Sequence, residues 1–157
     1  MKITLLAIGK TNVAYLREGI SLYIERLQHY ISFEYKEIPD VRNAGNLFQE
    51  QLKAQEGELI LQSLNSNDEL WLLDENGRQF SSVDFAKYLE KRLLHSSKSL
   101  VIVIGGAFGF SDKVYQRANE KLSLSSMTFS HQMVRLIAAE QLYRAFTIIK
   151  GEPYHHR

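Results

Sequence analysis

Apolar and polar positions alternate between two periods along the chain. Residues 3–8 form a near-continuous apolar run closed by Gly9, the pattern of a strand buried on both faces. Residues 13–29 instead place Leu16, Ile20, Tyr23, Ile24 and Leu27 on one helical stripe. Residues 33–38 alternate and stop at Pro39, which predicts a second strand. Residues 45–64 read as a helix with Gly57 weakening its middle. Residues 69–74 read as a third strand, followed by Asn76-Gly77 as a turn signal. Ser82 opens a helix carrying Phe85, Leu89 and Leu93, with Asp84 in its first turn. Residues 100–104, Leu-Val-Ile-Val-Ile, are the most strand-like segment and run into Gly105-Gly106, after which Ser111-Asp112 opens a short helix. Residues 122–129 read as a short strand or extended loop. Residues 132–149 form the last helix, with Val134, Ile137, Ala138, Leu142, Ala145 and Ile149 at core spacing.

Strand and helix thus alternate about five times, which predicts an α/β domain with a mainly parallel sheet flanked by helices. No linker, repeat or low-complexity tract divides the chain, so residues 1–157 are expected to form a single domain. In such sheets ligands sit beyond the carboxyl ends of the strands. That directs attention to Leu73-Asp74, to Gly105-Gly106 and to the segment before the last helix.

Composition narrows the chemistry. The absence of cysteine excludes a disulfide scaffold, a thiolate zinc site and a cysteine nucleophile. A net charge of +1, from 19 basic and 18 acidic side chains, gives no global sign of a nucleic-acid coat or a polybasic membrane anchor. No apolar run reaches the ~20 residues of a membrane span, and the start of the chain lacks a signal-peptide pattern. A soluble cytoplasmic protein without membrane contact is the expectation.

Several segments carry candidate chemistry. Gly105-Gly106-Ala107-Phe108-Gly109 follows the best strand and precedes a helix, and glycine there permits positive φ and close ligand approach. Its spacing is neither the dinucleotide fingerprint nor a phosphate-binding P-loop, so a bare turn and a ligand cradle both fit. Leu122-Ser-Leu-Ser-Ser-Met-Thr-Phe129 sets four hydroxyl side chains among apolar ones, as an edge strand or a ligand-binding loop would. His131 stands before the last helix as a cap or a catalytic group. The stretch from His131 to Arg157 holds Arg135, Arg144, Lys150 and Arg157 against Glu140 and Glu152. This local excess of basic groups can meet phosphate and base edges, although a solvated helix face looks alike. Glu140 and Arg144 are spaced for simple i, i+4 helix support. The terminal Tyr154, His155, His156 and Arg157 offer no fixed metal geometry, and no metal is expected.

Longer stretches carry a likeness. They are Ile104-Gly-Gly-Ala-Phe-Gly-Phe110, Leu122 to His131 with Val134-Arg135, Glu140-Gln-Leu-Tyr-Arg-Ala-Phe146 and Pro153-Tyr-His155. Together with the opening ten residues and Leu72-Leu73-Asp74, they resemble the ribosomal RNA large subunit methyltransferase H family, of the SPOUT class of knotted methyltransferases. The resemblance spans the chain and is weakest over residues 33–67. It departs at Ser130, where the family commonly has proline, a change expected to loosen the loop.

The resemblance implies a C-terminal trefoil knot and a homodimer whose site is completed across the interface. It implies methyl transfer from S-adenosylmethionine to N3 of a pseudouridine in helix 69 of 23S ribosomal RNA, on the assembled 70S ribosome. Carried over by position, the cofactor contacts fall on Leu73, Gly105, Leu124, Ser125, Ser126, Met127, Thr128 and Phe129. His131, Tyr154 and His155 are the candidates near the reacting base, a neutral imidazole being a suitable proton acceptor. Arg135 and Arg144 are candidate RNA anchors. The wide apolar arc of the last helix fits either a dimer contact or burial within one chain. Two rivals remain at this stage: a non-catalytic ribosome-associated factor, and a methyltransferase of the same class acting on transfer RNA.

Overall fold

The computed structural model describes residues 1–156. The expected alternation is present: β1 (Lys2–Ile8), α1 (Ala14–Leu27), β2 (Ser32–Ile38), a 3-10 turn (Ala44–Asn46), α2 (Gln49–Gln62), β3 (Glu69–Gln79), α3 (Ser82–His95), β4 (Leu100–Ile104), α4 (Asp112–Arg117), β5 (Glu120–Ser123) and α5 (Met133–Ile149). The sheet runs β2-β1-β4-β3-β5 and every pairing is parallel. Central β4 is buried along its whole length, because helices cover both faces of a parallel sheet.

The period-2 alternation of the strands sorts their side chains into two cores. Ile3, Leu5, Trp71, Leu100, Ile102 and Ile104 face one side, where Leu89 of α3 and Ala138, Leu142 and Ala145 of α5 meet them. Leu6, Ile8, Leu70, Leu72, Val101 and Val103 face the other, against Ile60 of α2 and Val114 of α4. α5 lies between α1 and α3 and packs on both. Much of its wide apolar arc is therefore covered within the chain, while Leu136, Ile137, Ile148 and Ile149 stay half-buried. Gly19 of α1 makes this approach possible, since a Cβ there would stand 2.8 Å from Leu136 Cδ1.

Helix starts follow their caps. The Ser81 hydroxyl accepts the Asp84 N–H at 3.0 Å, and the Ser111 hydroxyl accepts that of Val114 at 3.4 Å. Two expected boundaries are corrected. The helix expected over 45–64 starts at Gln49, because Gly45 belongs to the separate 3-10 turn and the Gln51 side chain accepts the Phe48 N–H at the true start. Gly57 does not simply weaken this helix, since it lets α2 close onto Ser111 and Val114. The Asn76-Gly77 signal does not end β3. Leu73 and Arg78 both pair with Leu122, so residues 74–77 form a bulge inside a strand that continues to Gln79. A Cβ on Gly77 would lie 2.6 Å from the Leu122 backbone, so this crossing requires glycine.

Candidate methyl-transfer cleft

The carboxyl ends of β3 and β4 and the loop after β5 enclose a cleft of about 450 Å³. Among the residues carried over from the resemblance, Leu73, Gly105, Leu124, Ser125, Met127, Thr128 and Phe129 line it, together with His131. Ser126 does not. It is exposed, and its hydroxyl accepts a hydrogen bond from Gln79 Nε2 at 3.0 Å. Asp74, Glu75, Tyr115 and Phe108 also line the cleft. The cleft wall holds no lysine or arginine among the described residues.

Local chemistry holds each wall. The glycine loop closes as a tight turn in which the Gly109 N–H donates to Gly106 O at 3.3 Å, with Gly109 at φ +85°. Gly105 lies flush against the ring of buried Phe110, and Gly106 against the carboxylate of Glu56. Burial first, and then the charge of Asp40, raises the Glu56 carboxyl above the usual range. In the loop after β5, the Ser123 hydroxyl donates to Ser125 O at 2.9 Å and the Ser125 hydroxyl accepts the Met127 N–H at 2.9 Å. Ser130 does not leave this loop untied. Its hydroxyl accepts the Met133 N–H at 3.0 Å and its carbonyl that of Val134 at 3.0 Å, which secures the first turn of α5. On the β3 side, Tyr115 donates to Asp74, and burial with that bond pushes its phenol up to about 12.

Arg135 requires a correction. It is 1% exposed, so it cannot reach a phosphate as the sequence suggested. Its guanidinium donates to Ile8 O at 2.7 Å, Gly9 O at 2.8 Å, the Thr11 hydroxyl at 3.0 Å and its own His131 O at 3.0 Å. Glu37 supplies the nearby negative charge at 3.5 Å. Burial works against that charge, but hydrogen bonds from Thr11 and Tyr35 and the arginine outweigh it and lower the Glu37 carboxyl. Gln132 adds a second tie, accepting the Asn12 N–H at 2.8 Å and donating to Lys10 O at 3.0 Å. The loop after β1 and the start of α5 are thus one clamped unit behind the cleft.

Tyr154 and His155 lie elsewhere. They do not line the cleft but fold back on the middle of α5. Glu140 is the hub that sequence reading passed over as helix support. It accepts the Tyr154 hydroxyl at 2.7 Å and Arg144 Nη2 at 2.8 Å. Arg144 Nη1 donates to His155 Nδ1 at 3.0 Å, and its guanidinium lies 4.8 Å from the Tyr154 ring centre. A ring nitrogen that accepts carries no hydrogen, so the His155 hydrogen sits on Nε2, which is buried without a partner. His155 here offers a donor rather than a base. Burial, Tyr23 and Glu140 hold the Tyr154 hydroxyl protonated well above its ordinary value. Along α5 the ten residues from Val134 at the cleft to Arg144 at this cluster span about 15 Å. Within one chain the cleft and the tail stay apart. Arg157 lies outside the described residues.

A family described as predicted SPOUT methyltransferase matches residues 1–155. A ribosomal RNA large subunit methyltransferase H of Christiangramia forsetii is 57% identical over all of both chains. One of Parabacteroides distasonis is 56% identical over 99% of each, and one of Cytophaga hutchinsonii is 55% identical over 99% of this chain. With a five-stranded parallel sheet, a glycine-walled cleft at its carboxyl end and full-length likeness on this scale, the chain belongs to the SPOUT methyltransferase family, in the branch whose members are called ribosomal RNA large subunit methyltransferase H.

Proposed function

We propose that the protein methylates N3 of a pseudouridine in helix 69 of 23S ribosomal RNA, on the assembled 70S ribosome, with S-adenosylmethionine as donor. It works in the cytoplasm as a homodimer, and the C-terminal trefoil knot belongs to the same reading. The observation that carries it is the coincidence of the cleft with the carried-over positions: Leu73, Gly105, Leu124, Ser125, Met127, Thr128 and Phe129 all line it.

The cleft suits the donor. Its volume lies within the roughly 300–1,000 Å³ common for small-molecule sites. Its glycine turn lets backbone groups approach a ligand, and its charged groups are the carboxylates of Asp74 and Glu75, which suit a cationic ligand. When bound, S-adenosylmethionine supplies an activated methyl group for in-line displacement. The chain's own residues then hold the two reactants aligned, which contributes several kcal/mol to lowering the barrier. His131 is the imidazole on the cleft wall and is favoured as acceptor of the N3 proton. Tyr154, which donates to Glu140, and His155, which accepts from Arg144 at Nδ1 and keeps its Nε2 hydrogen, are positioning groups for the nucleotide. In a homodimer a second copy would present its tail to this cleft, an arrangement that the distance of Tyr154 and His155 from their own cleft allows.

Methyl transfer from labelled S-adenosylmethionine should be compared on 70S ribosomes, extracted 23S RNA and transfer RNA, with the product mapped. Label at N3 of one pseudouridine of helix 69, strongest on ribosomes, is the expected result. Label in transfer RNA instead, or S-adenosylmethionine binding without transfer to any RNA, would overturn the reading.

A further inference from the structure

We propose that Phe108 is the stacking platform on which the target nucleobase lies as it enters the cleft. The inference rests on the RNA-methylating reading above and names a residue that it leaves without a role. Phe108 sits at the tip of the Gly106–Gly109 turn, and its side chain is 47% exposed while lining the cleft. Two positions on, Phe110 is 5% exposed and packs against Gly105. The turn therefore sends one aromatic ring into the core and holds the next one out over the opening. Its backbone is fixed at both ends, by the Gly109-to-Gly106 hydrogen bond and by the buried Phe110 anchor. An exposed ring on a fixed turn adds little to the stability of the fold.

The charge of the cleft decides what that ring meets. Asp74 and Glu75 line the cleft, and no lysine or arginine does among the described residues. Within one chain such a wall offers a phosphate no cationic partner and disfavours the RNA backbone there. What enters is the uncharged base, separated from its neighbours. An unstacked base loses its neighbouring rings and needs a replacement surface, which aromatic side chains commonly supply. Phe108 is the exposed aromatic on the glycine wall, and Met127, 77% exposed, adds a flexible apolar side chain to the same cleft. Together they give the cleft apolar surface that suits the face of a flat ring. Recognition of the base's face by stacking is tolerant of base identity. Specificity then comes from the hydrogen-bonding groups deeper in the cleft and from the shape of the RNA.

The test uses the full-length protein with Phe108→Ala and Phe108→Trp, each shown folded by thermal melting. Steady-state methyl transfer to 70S ribosomes is measured alongside S-adenosylmethionine affinity by calorimetry. Phe108→Ala is expected to raise KM for ribosomes about ten-fold or more, the loss of one base–aromatic stack, with S-adenosylmethionine affinity unchanged. Phe108→Trp is expected to restore KM to within about two-fold of the wild type, because a larger π-face stacks at least as well. If Phe108→Ala weakens S-adenosylmethionine binding as strongly as it raises the ribosome KM, the ring belongs to the cofactor wall and the proposal falls. It also falls if KM for ribosomes is unchanged. If the wild type binds S-adenosylmethionine yet methylates no ribosome, the ribosomal reading itself fails, an outcome visible before any variant is made.

Discussion

Arg135 Nη2 donates to Ile8 O at 2.7 Å, so the first turn of the last helix is bolted to the end of the first strand. The same guanidinium reaches Gly9 O, the Thr11 hydroxyl and His131 O. Arg135→Met removes four hydrogen bonds and strands the Ile8 and Gly9 carbonyls, while Glu37 keeps its bonds from Thr11 and Tyr35. A cost of roughly 1–3 kcal/mol is expected, read by urea denaturation. S-adenosylmethionine affinity should fall as well, because His131 and the loop after β5 lose their rear support. Arg135→Lys should recover only part of either loss, since one ammonium cannot span acceptors fixed for a planar fork. A lysine variant as stable as the wild type would contradict this account of the clamp.

Glu56 and Glu37 should give the protein opposite pH responses. The folded state raises the Glu56 carboxyl above its unfolded value of about 4.3. The stability tied to its protonated form is then fully present below that value and lost as pH rises through the folded one. Glu56→Gln keeps the uncharged state at every pH. Its melting temperature should match the wild type near pH 4 and exceed it at pH 7. A difference that stays constant across that range would show that Glu56 does not titrate as argued. Glu37 is lowered, so its contribution is present above about 4.3 and lost as pH falls through its folded value. Thr11→Val should therefore blunt the acid destabilisation.

Gly77 separates two kinds of glycine. A Cβ there meets the backbone of Leu122, which cannot swing aside, whereas the nearest atoms to a Cβ on Gly106 belong to the end of the Glu56 side chain, which can rotate. Gly77→Ala should displace β5 and with it Leu122 and Leu124 of the cleft, costing roughly 1–3 kcal/mol and weakening S-adenosylmethionine binding. Gly106→Ala should fold nearly normally. Calorimetry and thermal melting of both variants check the contrast.

The Glu140 hub predicts a division of labour. Tyr154→Phe removes the donor to Glu140 without altering the aromatic packing on Tyr143, 4.7 Å away. Methyl transfer should drop at least about ten-fold while S-adenosylmethionine affinity stays at its wild-type value, since the tail does not line the cleft. Glu140→Gln should behave alike. If either variant lost cofactor affinity instead, the tail would be part of the donor site.

Many elements were legible because β1 and β4 are short apolar runs and α3 and α4 start at serine caps. Ser81, Ser111 and the run 100–104 are local signals, and local signals survive folding. The cleft was legible for a different reason: β3 and β4 are neighbouring parallel strands, and Leu73 pairs with Ile104, next to Gly105. What escaped was set by distant partners. Asn76-Gly77 carries turn chemistry, yet Leu122 pairs on both sides of it and turns it into a bulge. Arg135 reads as a surface cation until Ile8, Gly9, Thr11 and Glu37 gather around it. Glu140 reads as a helix pair with Arg144 until Tyr154 folds back onto it. No periodicity records which residues a returning chain will meet.

The position of α5 between α1 and α3 has a consequence for how the protein is made. The sheet face of Ile3, Leu5, Trp71, Ile102 and Ile104 is covered in part by Ala138, Leu142 and Ala145, which follow every strand in the chain. While the nascent chain grows, at about 5–20 residues per second, Leu27 of α1 and Leu89 of α3 can cover only part of that face. The loop after β5 and the clamp at Arg135 arrive in the same late interval. Docking of α5 therefore closes the core and assembles the cleft together.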